Sequence, residues 1–170
     1  GKLFSSTIAG WNSNISVGSG TSKGLEFMYE KDGTRLDWRI AYTLSNTDRQ
    51  FDDVNNGVSF PAKFDRRHIL NATTSYVIAD DNCHKILLTG SYTWQSGHWV
   101  TVVAGEYPSI SITGHNATLD YFTSVNNYKM PSYIRFDLGC NITFKARYEH
   151  SLNIGVYNIM NRHNPLSIIY

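Results

Sequence analysis

The stretch T-R-L-D-W-R-I-A-Y-T-L, residues 34–44, constrains the fold of this chain more than any other. Leu36, Trp38, Ile40, Tyr42 and Leu44 occupy every second position, and Arg35, Asp37, Arg39, Ala41 and Thr43 fill the gaps. A period of two specifies a β-strand with one apolar and one polar face. Two environments satisfy it. In a soluble sandwich the apolar side packs into a core; in a membrane barrel it meets lipid and the charged side lines the interior.

The same alternation recurs along the chain. Residues 22–31 set Leu25, Phe27 and Tyr29 against Glu26, Met28 and Glu30, and K-D-G at 31–33 joins them to the strand above as a hairpin. Further strands are expected over about 65–79, 85–96, 132–145 and 149–162, with a seventh beginning at Leu166–Tyr170. The connections differ in length. K-D-G, A-D-D-N-C-H-K and K-A-R-Y-E-H are short, whereas 46–64 and 97–131 are long, and residues 1–20 read as a strand end and loop. In an up-and-down meander this places every long connection at one end, the arrangement of outer-membrane barrels. Strands of about ten residues also have the length that crosses a bilayer when tilted. Six or seven strands are fewer than the eight of the smallest common barrels, so the chain is expected to be an arc of a larger one.

Composition agrees. Only 17% of residues are charged and 14% are aromatic, with 11 Tyr and 4 Trp, yet mean hydropathy is negative. A net charge of +1 without a basic run gives no electrostatic case for nucleic acid. The sequence contains no apolar run of about 18 residues, which excludes helical spans and leaves barrels open. It opens on G-K-L-F rather than Met and reads as an excerpt of a longer protein. Cys83 in a turn and Cys140 within a strand are expected to remain unpaired.

No catalytic or cofactor signature is found. The six histidines, His68, His84, His98, His115, His150 and His163, show no metal-ligand spacing, and no nucleophile elbow, phosphate loop or Cys-x-x-Cys occurs. The expectation is a protein that is not an enzyme and needs no cofactor or metal. Ligand contact fits the long loop 97–131 best, where His98, Trp99, Tyr107, His115 and Tyr121 combine aromatic faces with polar edges.

Four segments then carry a family resemblance. Y-T-L-S at 42–45, F-P-A-K-F-D-R-R-H at 60–68, Y-K-M-P-S-Y-I-R-F-D at 128–137 and Y-N-I-M-N-R-H-N-P at 157–165 stand in order and spacing. They resemble the C-terminal part of the barrel of TonB-dependent outer-membrane receptors, in the branch with a carboxypeptidase-regulatory-like N-terminal domain. The resemblance implies an all-β, antiparallel up-and-down transmembrane barrel of about 22 strands. Residues 1–170 would be its C-terminal segment, without plug domain or TonB box. It implies TonB-energised import of a siderophore, glycan, cobalamin or peptide across the outer membrane of a Gram-negative bacterium. The partners implied are outer-membrane lipid, the receptor's own plug, the TonB complex, and the imported ligand with a surface lipoprotein as a candidate accessory. Arg35, Asp37, Arg39, Asp65, Arg66, Arg67, Arg135 and Asp137 would face the lumen in structural roles. Beside this stands the other reading, a soluble β-sandwich or β-barrel glycan-binding domain, which needs a second sheet over the apolar stripes.

Overall fold

The computed structural model describes residues 16–110 and 116–165. Its frame is one antiparallel sheet in meander order. The main strands are β1 (Gly18–Lys31), β2 (Leu36–Phe51), β4 (His68–Asp80), β5 (His84–Gln95), β10 (Tyr133–Lys145) and β11 (Glu149–Val156). A short β3 (Phe60–Pro61) pairs with β2 at Asp48 and Arg49. Four short strands occupy the connection from β5 to β10. These are β6 (Trp99–Val100) paired with β9 (Tyr128–Lys129), and β7 (Gly105–Ile110) paired with β8 (Asn116–Tyr121).

The register makes the two faces explicit, because residues paired across an antiparallel ladder project to the same side. Leu36–Tyr76–Leu88–Cys140–Ile154 and Tyr42–Leu70–Trp94–Ile134 are transverse rows of one face. Arg39–Thr73–Ser91–Asp137 is a row of the other. Leu25, Phe27, Leu36, Leu152 and Ile154 remain largely exposed, so the apolar face is uncovered among the described residues. Among the described residues the buried hydrophobic ones are only Phe60, Ala62 and Met130, all from the long connections. The apolar packing thus lies under the loops and not on the sheet. A soluble sandwich would show the reverse.

The connections differ from expectation in extent. β2 continues to Phe51, into the stretch expected as loop, because β1 pairs with it up to Gly18. The segment 97–131 is not structureless, since its ends and middle form two separate ladders. β11 stops at Val156 rather than near 162, where Asn158 and Asn161 take left-handed φ values of 51° and 48° and turn the chain. The strand expected at Leu166–Tyr170 and the segment 1–15 lie outside the described residues, as does His115.

Candidate functional site

The polar face carries the strongest constellation of charged groups. Its central row begins at Glu30, which pairs with Arg39 both in register and through an ion pair. It continues through Thr73 and Ser91 to Asp137. Asp137 is 9% exposed and collects three donors. The Arg135 guanidinium lies 2.6 Å away, the Asn158 amide donates at 2.8 Å, and the Ser91 hydroxyl donates at 3.3 Å. Arg135 in turn lies over the Tyr157 ring at 6.0 Å. One row nearer the short turns, Asp37 accepts from Gly33 N–H at 2.9 Å and from Ser75 Oγ at 3.2 Å. The Asp-Gly hairpin is therefore fastened by a carboxylate of the strand it precedes. These groups border a shallow concave depression of about 610 Å³. Arg39 meets Glu30 within the row and Arg135 meets Asp137 from the adjacent row, so this stretch of the wall is polar and hydroxyl-rich with its arginines paired.

Asp65, Arg66 and Arg67 diverge. Asp65 is buried and accepts from Thr47 N–H at 2.8 Å, closing the base of the loop 52–67. Arg66 donates to Gln95 Oε1 at 2.7 Å, a residue on the polar side of β5. Arg67, expected beside them, instead bonds Asn46 Oδ1 and borders a depression with Leu25 and Leu44, at the margin of the apolar face. The cause is the following residue. His68 enters the ladder opposite Leu44 and stacks on Trp94 at 5.8 Å while Tyr42 meets its Nδ1 at 2.8 Å. That fixes the apolar side of the strand start, and the chain before it leaves the regular alternation. Arg35 ends the first hairpin turn, exposed, its carbonyl accepting from Val77 N–H at 2.7 Å.

The loop residues fall into two groups. His98 and Trp99 sit at the loop base. Trp99 pairs with Lys129, whose ammonium lies 5.8 Å from the ring centre. Partial burial, and then the charges of Arg66 and Lys63, hold the His98 imidazole below its ordinary range. Tyr107 and Tyr121 instead share the β7–β8 hairpin, edge to face at 5.7 Å, and are 59% and 46% exposed. They offer aromatic surface to solvent; Trp99 offers little. Gly97 explains why the loop base is tight. A Cβ there would fall 1.5 Å from Met130 O, so no side chain fits where the two ends of the long connection cross.

Asparagine side chains hold several of these connections, and for Asn55, Asn126 and Asn127 the sequence gives no sign of it. Four of them imitate a peptide unit, each offering both its amide and its carbonyl to another residue's backbone. Asn55 bonds Val125 N–H and C=O at 2.7 and 3.2 Å, joining the two long loops. Asn127 brackets Val102, Asn164 brackets Ile134 and Asn158 brackets Arg162 in the same manner. Asn126 adds a bond to Pro61 O at 2.8 Å. The alternation of side chains gives no hint of these partners, which, Arg162 aside, are remote in sequence. Among the described residues no three His, Cys, Asp or Glu groups form a metal cluster.

The family model described as TonB dependent receptor-like, beta-barrel matches residues 3–159. No curated protein and no solved structure matches the chain.

Proposed function

The chain belongs to the TonB-dependent receptor β-barrel family, whose members are outer-membrane transporters of Gram-negative bacteria and not enzymes, and on that premise we propose what this stretch contributes. Residues 1–170 form a C-terminal arc of a plugged barrel that imports a scarce ligand under TonB power. The order of the four motifs along the chain supports this placement, and supports the branch that carries a carboxypeptidase-regulatory-like domain before its plug. The apolar face meets lipid. The row Glu30, Arg39, Thr73, Ser91 and Asp137 faces the hydrated interior and the receptor's own plug, with Arg35, Asp37, Asp65, Arg66 and Arg135 on the same side.

One observation carries the reading: across six strands one face is predominantly apolar and the other gathers the charged and hydroxyl residues, while every long connection leaves from one end. Short turns at the other end are the periplasmic side in such barrels, so the long loops face outward. The ligand, a siderophore, glycan, cobalamin or peptide, meets the exposed Tyr107 and Tyr121 first, and His98, Trp99 and His115 are the remaining candidates. Stacking on aromatic faces suits a sugar or a planar chelate, with a surface lipoprotein as candidate accessory.

The test is the behaviour of the whole receptor in cells. Extraction from outer membranes only by detergent, with a gel mobility that changes on heating, is the expected result. Recovery of residues 1–170 as a monomer in plain buffer would overturn it.

A further inference from the structure

We propose that Lys23 and Arg67 hold the phosphate of an outer-leaflet lipid whose acyl chain lies over Leu25 and Leu44. On β1 and β2 the apolar face ends abruptly. Leu25 pairs with Leu44, and the next pair on that face is Lys23 with Asn46. Arg67 reaches this level from the start of β4 and bonds Asn46 Oδ1. Together these residues border a depression of about 360 Å³, apolar below and cationic above. Leu25 and Leu44 are 70% and 38% exposed.

The charges at this margin are uneven. Neither Lys23 nor Arg67 joins an ion pair among the described residues. The nearby carboxylate, Asp48, accepts from the Asn46 amide at 2.5 Å and joins no ion pair among the described residues, so two cations stand against one acid here. Asn46 thus turns its nitrogen to the acid and its oxygen to Arg67, holding the guanidinium over the leucines. On the polar face Arg39 and Arg135 each meet a carboxylate, whereas Lys23 and Arg67 at this margin join no ion pair among the described residues. Their height matches the interface, because Leu44 pairs with His68, whose ring belongs to the aromatic layer with Tyr42 and Trp94. Amphipathic rings gather at the headgroup level, and cations there favour anionic lipid. A guanidinium also matches phosphate geometry. Two cations above an apolar groove complement a lipid phosphate better than any protein partner, which would need acids and an apolar ridge at a lipid-covered surface.

This inference rests on the proposed orientation of the barrel, with its apolar face to lipid and its long loops outward. The experiment therefore reads both. The whole receptor is reconstituted in phosphatidylcholine nanodiscs containing phosphatidic acid, and the phosphatidic acid that it retains after transfer to detergent is counted by native mass spectrometry. The wild type should retain it, and Lys23→Gln/Arg67→Gln should retain about twenty-five-fold less, from two cations contributing about fivefold each. Lys23→Arg/Arg67→Lys should keep most of the binding. Equal retention by the Gln double variant would overturn the lipid site, as would full competition by inorganic phosphate. Heat-modifiable mobility is measured on every variant. Its loss in the wild type would sink the barrel reading itself, whereas its presence with equal retention sinks only the lipid site.

Discussion

Arg39 and Asp137 lie in the same transverse row of the polar face although seven strands, β3 to β9, separate theirs along the chain, with Thr73 and Ser91 as the steps between them. Ile40 and Phe136, their immediate neighbours, point to the opposite face. Substituting across this boundary should therefore have opposite results. Ile40→Arg places a cation in the apolar band and is expected to cost about 2–4 kcal/mol near the bilayer midplane. Arg39→Ala removes only a solvent-exposed pair with Glu30 and should leave stability close to that of the wild type. Urea titration of the receptor in lipid vesicles compares them. Similar losses for both would contradict the assignment of faces.

Asp137 joins two of the sequence motifs, and its removal should loosen the second. It accepts from Arg135 on its own strand and from the Asn158 amide beyond β11, while Ile159 N–H bonds Phe136 O. Asp137→Ala leaves those donors without their carboxylate and should loosen the contact between β10 and the Asn158 turn. Hydrogen exchange at Asn158 and Ile159 should accelerate while the β4–β5 ladder is unchanged. Asp137→Asn keeps one acceptor oxygen and should show a smaller effect. Uniform acceleration across the sheet would deny Asp137 this local role.

Most of the sheet was legible in the sequence because alternation reports directly which face a strand side chain takes. Leu36 to Leu44 and Ile134 to Phe144 could be assigned to faces without coordinates. Arg67 could not, since its side is decided by how His68 enters the ladder against Leu44, Tyr42 and Trp94. The cross-loop roles of Asn55, Asn126 and Asn127 were equally hidden. A side-chain amide that pairs with a backbone far along the chain leaves no periodic trace. The β6–β9 ladder at the base of 97–131 is hidden for a related reason, since these strands have two residues each, too short for any period to show.

The Asn55–Val125 pair is the described side-chain tie between the two long loops, supported by Asn126 to Pro61 O. Asn55 also holds a left-handed φ of 52°, so replacing it by Ala would confound loss of the tie with backbone strain. Asn55→Gly removes the tie and keeps the conformation accessible. Faster exchange at Val125 is expected, with barrel unfolding in urea unchanged. No change at Val125 would show that Asn126 suffices.

The loop base should weaken in acid through His98. Burial and the charges of Arg66 and Lys63 depress its imidazole below the ordinary value of 6.5. The folded loop therefore binds fewer protons than the unfolded one in the window between the depressed value and 6.5, and stability rises with pH there. Its contribution is fully present above 6.5 and is lost as pH falls through the depressed value. Met130 N–H bonds His98 O at 2.9 Å, so its amide reports opening at this point. Protection of Met130, corrected for intrinsic exchange, should fall between about pH 7.5 and pH 5. His98→Gln keeps a polar side chain without that titration, and its Met130 protection should not depend on pH. An equal fall in both proteins would place the acid sensitivity elsewhere in the loop.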